Sequence, residues 1–193
     1  MQNLTSEYWN DRYKNAATGW DLGQVSPPIK EYIDQLTDKT IKILIPGCGN
    51  AYEAEYLHQQ GFINVHLLDF ASEPLVEFKK RVADFPEAHL HQDDFFEHQG
   101  EYDLIIEQTL FCAIDPSLRA DYVTTAKRLL VPKGKLVGLL FNCHFEAGPP
   151  FGGTLDEYQN QFSKEFKSIK MDNCYNSIPP RLGNELFIKV RKD

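Results

Sequence analysis

Gly47 and Gly49, one residue apart, follow the apolar run Ile41 to Ile45 and lead into a helical pattern. Glycines at a strand-to-helix turn let backbone approach a ligand with no Cβ in the way. Asp69 stands twenty residues beyond Gly49 at the end of the next apolar run, the separation at which an acidic side chain meets a ribose diol. Together these features point to a nucleoside ligand, although two glycines can also simply shape a turn. A dinucleotide fingerprint would place a third small residue three positions beyond Gly49. That position is Tyr52, which would crowd a pyrophosphate against the helix, so NAD fits poorly. A nucleoside without a pyrophosphate, such as S-adenosylmethionine, needs only the tight turn, the ribose acid and a slot for adenine.

Two further clusters fall where strands should end. Asp93-Asp94-Phe95-Phe96 offers a carboxylate for an adenine amino group beside aromatic faces, and is equally what a turn back into the core looks like. Glu107-Gln108-Thr109-Leu110-Phe111 sets polar groups at the carboxyl edge of a sheet, where open α/β sheets bind ligands. Other constellations have ordinary explanations. His89, His91 and Asp93 alternate as metal ligands could, but short strands carry such residues without a metal, and none is expected. Cys48 sits at a helix N-terminus that could lower its pKa, or fills the turn as a small side chain.

The elements that must position these residues follow from periodicity. Residues 5–14 read as a short helix with Trp9 and Tyr13 four apart on one face, and residues 29–36 as a second helix after a loop rich in Gly and Pro. Strands are expected at 41–45, 64–68, 89–92, 103–107 and 135–141. Helices are expected between them at 51–60, 72–82 (opened by Ser72) and 116–130, with Pro132-Lys133-Gly134 as a turn. Thr154-Leu155-Asp156-Glu157 is a capping-box pattern opening a helix. The segments 166–173 and 185–192 read as two last strands, an antiparallel hairpin closing an otherwise parallel sheet. Such alternation implies right-handed crossovers and a three-layer α/β sandwich. No internal repeat interrupts it, so residues 1–193 are expected to form a single domain.

Composition narrows the partners. The 193 residues carry 20 basic and 28 acidic side chains, a net charge of −8 without a Lys/Arg cluster, so duplex nucleic acid is not expected. No apolar run approaches the roughly 20 residues needed to span a bilayer. The N-terminus lacks the basic flank and apolar stretch of a secretory signal, and Cys48, Cys112, Cys143 and Cys174 lie too far apart for metal or redox pairs. A cytoplasmic protein with free thiols is expected, monomeric rather than obligately oligomeric.

Four stretches carry a more specific likeness: Gly19-Trp20-Asp21-Leu22-Gly23-Gln24 with Ser26-Pro27-Pro28; Ile45-Pro46-Gly47-Cys48-Gly49; Asp103-Leu104-Ile105-Ile106-Glu107 running into Phe111-Cys112-Ala113-Ile114-Asp115-Pro116; and Gly148-Pro149-Pro150-Phe151. In these the chain resembles the class I S-adenosylmethionine-dependent methyltransferases and, within them, the thiopurine S-methyltransferase superfamily, above all its thiol and halide methyltransferase branch. The resemblance implies a Rossmann-like core at 37–193, with a mostly parallel seven-stranded sheet and a C-terminal antiparallel hairpin, under an N-terminal helical cover at 1–36. It implies that Trp9, Tyr13 and Trp20 flank the methionine end of S-adenosyl-L-methionine, where a ring face attracts a sulfonium. Gly47 and Gly49 would approach the amino-acid portion, Asp69 the ribose, Asp94 and Phe95 the adenine, with Glu107 and Gln108 beside the methionine moiety. Halide and thiocyanate members of that branch often carry Tyr after Gly-Pro-Pro, and Phe151 removes that hydroxyl from the acceptor side.

Methyl transfer from a sulfonium is an in-line displacement that depends on holding nucleophile and methyl carbon together in a water-poor pocket. A soft nucleophile needs no general base, and no acid/base pair is evident here. His144 could take a proton from a thiol, or be a solvated loop histidine. The sequence therefore predicts methylation of a small molecule, most plausibly at sulfur or a halide, giving S-adenosyl-L-homocysteine. The alternative is a non-catalytic S-adenosylmethionine-binding or protein-interaction module.

Overall fold

The computed structural model describes residues 4–193; the first three residues of the expected cover lie outside it. Seven strands form one sheet in the order β3-β2-β1-β4-β5-β7-β6. They are β1 (Ile43–Pro46), β2 (Val65–Asp69), β3 (Leu90–Gln92), β4 (Tyr102–Gln108), β5 (Leu130–Phe141), β6 (Ser168–Asn173) and β7 (Glu185–Arg191). The first five run parallel, and β7 joins β5 and β6 antiparallel, which is the expected closing hairpin.

Strand periodicity explains the two cores. Ile43, Ile45, Leu104, Ile106, Val137 and Leu139 face one side, against α2 (Pro27–Asp34), α3 (Tyr52–Gln59) and α4 (Ser72–Arg81). The residues between them, Leu44, Ile105, Leu136 and Leu140, face α5 (Arg119–Leu129) and α6 (Leu155–Phe162) on the other. Side chains alternate across a pleated strand, so central strands buried on both faces read as unbroken apolar runs.

The outermost helix, α1 (Ser6–Lys14), buries no residue fully. It is tied to α4 by polar contacts. The Asn10 Oδ1 accepts the Glu73 N–H at 3.0 Å and the Ser72 hydroxyl at 3.4 Å, and Lys14 pairs with Glu73 at 3.3 Å. Ser72 is thus the first residue of α4 and not its cap; Asn10 of a different helix accepts the free N–H. At α6 the expected capping box is present in both halves, Glu157 N–H to Thr154 Oγ1 at 3.3 Å and Thr154 N–H to Glu157 Oε2 at 2.8 Å.

Several boundaries differ from the expectation, three of them for a clear physical reason. Pro27 and Pro28 begin α2 two residues early, because proline suits a first turn whose N–H groups have no helical partner. Pro132-Lys133-Gly134 is not a turn ahead of the strand, which already begins at Leu130. Leu130 pairs with Tyr102 and Lys135 with Leu104, so the segment is an irregular bulge in β5 with Lys133 at φ +69°. His89 ends a 3-10 turn, Glu87–His89, and only Leu90–Gln92 is extended. Among the described residues no helix is long and apolar enough to cross a membrane.

Candidate active site

The carboxyl ends of β1, β2, β3 and β4 open on a cavity of about 660 Å³, within the range of small-molecule sites. Gly47 and Gly49 take left-handed φ values of +56° and +51°, which glycine adopts without strain. They turn the chain from β1 toward α3 at close quarters: a Cβ on Gly49 would sit 2.8 Å from the Tyr13 hydroxyl, and one on Gly47 2.8 Å from the Leu110 side chain.

Asp69 ends β2 beside this turn. Its Oδ2 accepts the Gly49 N–H at 3.1 Å and its Oδ1 the Ala71 N–H at 2.9 Å. A carboxylate has about four lone-pair positions, so capacity remains for a diol at the cavity wall. Burial raises the Asp69 pKa to about 6 against the lowering pull of those two amides.

The cover supplies an aromatic wall. Trp20 meets Trp9 and Tyr13 edge-to-face at centroid distances of 5.4 and 5.8 Å, and all three rings line the cavity with Gly47, Asp69, Asp94 and Phe95. The Trp20 carbonyl is held by Arg181 at 2.8 Å. Asp94 accepts the Phe96 N–H at 2.9 Å, shaping the loop that presents Phe95. Gly49 and Gln108 line a smaller adjoining recess with Tyr13, Trp20 and Asp21. The Gln108 carbonyl there accepts the Ser26 hydroxyl at 3.1 Å.

Three anticipated residues stand elsewhere. Glu107 is fully buried and lines neither space; its carboxyl accepts the Tyr122 hydroxyl at 2.6 Å and the Phe111 N–H at 2.9 Å, bracing the turn after β4. Burial pushes its pKa up to about 7. Phe151 folds against Gly148, donates its N–H to the Cys112 carbonyl at 2.7 Å, and leaves the cavity wall to Pro149 and Pro150. His144 is likewise absent from the lining.

The remaining possibilities resolve simply. Cys48 is buried, and burial holds its pKa well above the ordinary thiol value, so it is no reactive thiolate. Among the described residues no group of His, Cys, Asp and Glu is arranged to hold a metal. His91 instead meets His66, ring nitrogens 3.0 Å apart.

Sequence reasoning missed the far wall. Thr109, Leu110, Cys112, Ile114, Leu118, Pro149 and Pro150 line it, with Leu4 from the cover. Thr109 sits at φ +71°, a strained value for a β-branched residue that turns the chain sharply at the end of β4; no residue type announces it. The signal that was available lay in Gly148-Pro149-Pro150, read toward Phe151 when the prolines form the wall.

The fold and this site define a methyltransferase that uses S-adenosylmethionine. The chain belongs to the thiopurine S-methyltransferase family, whose model matches residues 4–185. It is similar to Probable thiol methyltransferase 2 of Arabidopsis thaliana, 28% identical across 100% of this chain and 88% of that protein. It is also similar to Thiocyanate methyltransferase 1 of Brassica oleracea, 26% identical over 95% and 84% of the two chains. Among solved structures, 1,6-didemethyltoxoflavin-N1-methyltransferase of Burkholderia thailandensis, with its substrate and S-adenosylhomocysteine bound, superposes with a TM-score of 0.76. That match covers 98% of this chain and 87% of the other at 17% identity, and shows the shared fold. These matches give the non-catalytic alternative no support.

Proposed function

We propose that this protein methylates the sulfur of a small molecule. The observation that carries the reading is Asp69 hydrogen-bonded to Gly49 at the floor of a cavity walled by Trp9, Tyr13 and Trp20. The donor set fits S-adenosylmethionine: a carboxylate with lone pairs to spare for the ribose, Asp94 and Phe95 for adenine, and aromatic faces for a sulfonium. When bound, it supplies an electrophilic methyl group. In this reading Asp69 orients the ribose, while Gly47 and Gly49 let the amino-acid portion lie against backbone. Gln108 reaches it from the adjoining recess. The cover keeps water from the reacting centre, and Glu107 acts behind the site by holding the turn after β4.

Sulfur as the methylated atom is supported by the thiol and thiocyanate methyltransferases to which the chain is similar. We take the chain as a single domain with residues 1–36 as its cover, acting as a monomer in the cytoplasm, a setting its four free cysteines suit. Calorimetric titration with S-adenosylhomocysteine is the test. Saturable one-to-one binding supports the cofactor assignment, and a folded protein that does not bind refutes it.

A further inference from the structure

The cavity and the smaller recess beside it meet at a waist. Four residues line both spaces: Tyr13 and Trp20 from the cover, Gly47 from the turn after β1, and Thr109, the first residue after β4. β1 and β4 are neighbours in the sheet, and a Cβ on Gly47 would meet the Leu110 side chain at 2.8 Å, so the two turns touch. With ribose and adenine in the cavity and the amino-acid portion in the recess, as the proposed function has them, the sulfonium that joins the two parts passes this waist.

Thr109 is the unusual member. Its φ of +71° is one that glycine takes freely and a β-branched residue rarely takes. No side-chain bond accounts for it. The hydroxyl has no hydrogen-bond partner among the described residues and is not sealed away, so it opens on the space that the residue lines. Strain of this kind persists where the surrounding structure imposes it, and it collects at working sites. The oxygens around it are occupied or aimed elsewhere. The Thr109 carbonyl accepts the Cys112 thiol at 3.2 Å, and the Gln108 side-chain carbonyl accepts the Ser26 hydroxyl at 3.1 Å. The Tyr13 hydroxyl stands at the backbone of Gly49, which lines the recess. On the cavity side of the waist, the side-chain oxygen left free is that of Thr109.

A sulfonium withdraws electron density from its methyl group, and the methyl C–H bonds become weak hydrogen-bond donors that suit an uncharged oxygen. Aromatic faces attract the charge as a whole and leave the direction of the methyl group open. A single oxygen at a fixed place sets that direction. We infer that Thr109 is a catalytic residue whose hydroxyl oxygen accepts C–H···O bonds from the donor methyl group and turns that group toward the part of the cavity left for the acceptor. The strained turn fixes where the oxygen stands.

The inference rests on the proposed function, and the reaction product is its control. S-adenosylhomocysteine lacks both the methyl group and the positive charge, so a contact to the methyl group raises affinity for S-adenosylmethionine alone. Calorimetry with both compounds on the full chain compares the wild type with three variants. Thr109→Val keeps the shape without the hydroxyl, Thr109→Gly removes the hydroxyl and suits the backbone angle, and Thr109→Ser keeps the hydroxyl. In the first two the Kd of S-adenosylmethionine is expected to rise by about two- to fivefold relative to that of S-adenosylhomocysteine, the worth of one weak C–H···O bond. In Thr109→Ser the ratio should stay near the wild-type value. With S-adenosylmethionine isotopically labelled in its methyl group, the bound methyl proton resonance should lie further upfield in Thr109→Val than in the wild type. A ratio unchanged in both Thr109→Val and Thr109→Gly, or shifted as far in Thr109→Ser, overturns the inference and leaves the cofactor assignment standing. Equal weakening of both compounds also overturns it, because the residue then shapes the waist without holding the methyl group. A folded wild-type chain that binds neither compound overturns the proposed function and this inference together.

Discussion

Two carboxylates at the ends of β2 and β4, on either side of β1, have different work because of what surrounds them. Asp69 is the last residue of its parallel strand and Glu107 the last but one of its own, and both have raised pKa values through burial. Asp69 lines the cavity and keeps unused acceptor capacity, whereas the two oxygens of Glu107 are engaged by Tyr122 and Phe111 behind it. The Asp69→Asn variant removes the charge that would strengthen the proposed ribose hydrogen bonds. It is expected to weaken S-adenosylhomocysteine binding by about 10- to 100-fold in calorimetry, the range for hydrogen bonds to a charged group. Glu107→Gln should leave binding much closer to wild type and change the pH dependence of stability instead. An unfolded Glu ionises near 4.5, while folded Glu107 holds its proton to about 7. Folding stability is therefore lost as pH rises through that window. The melting temperature of the Gln variant should fall less between pH 5 and 7 than that of the wild type.

At the scale of elements, α1 is a cover held by its edges. It has no fully buried residue, and its attachments are Asn10 and Lys14 to the start of α4 and ring contacts to Trp20. Deleting residues 1–20 removes the aromatic wall and leaves the sheet and its two cores untouched. Circular dichroism should therefore report a retained α/β fold, while S-adenosylhomocysteine affinity drops by about 3- to 30-fold or more, the worth of a cation–π contact. Equal affinity would refute the covering role. The elements themselves were largely legible because helix and strand periods are local. Ile43, Leu44 and Ile45 announce a doubly buried strand, and Thr154 with Glu157 announce a helix start. Features set by tertiary contact were not. The cap of α4 comes from Asn10, sixty-two positions away from Ser72. The bulge at Pro132 to Gly134 exists because Lys133 and Gly134 bond to Lys192 at the end of β7. At the cavity, the left-handed turn of Gly47 and Gly49 and the place of Asp69 at the end of β2 were legible from spacing. The direction of Glu107 was not, since Gly138 on the adjacent strand leaves the space that its side chain root occupies.

For the whole molecule, ionisation opposes folding from both sides of the pH scale, and ligand binding couples to one side. His66 is buried on β2 beside His89, His91 and Lys42, and burial first, with the electrostatic influence of those neighbours behind it, lowers its pKa to about 3. The unfolded histidine takes a proton near 6.5 and the folded one does not, so stability declines as pH falls from about 6.5 toward 3. Asp69 acts oppositely. The unfolded carboxyl ionises near 3.8 and the folded one near 6, so stability contributed by its protonated form is lost as pH rises between those values. In the proposed binding mode ribose hydroxyls donate to the ionised carboxylate, so bound S-adenosylhomocysteine would favour the charged form and pull the Asp69 pKa down. The rise in melting temperature produced by a saturating concentration should accordingly be small at pH 5 and grow through pH 6 to 7.5. Thermal denaturation with and without ligand measures it. Asp69→Asn, which cannot titrate, should show a smaller and nearly pH-independent rise over the same range, and a wild-type rise that stays flat from pH 5 to 7.5 would remove Asp69 from the ribose contact.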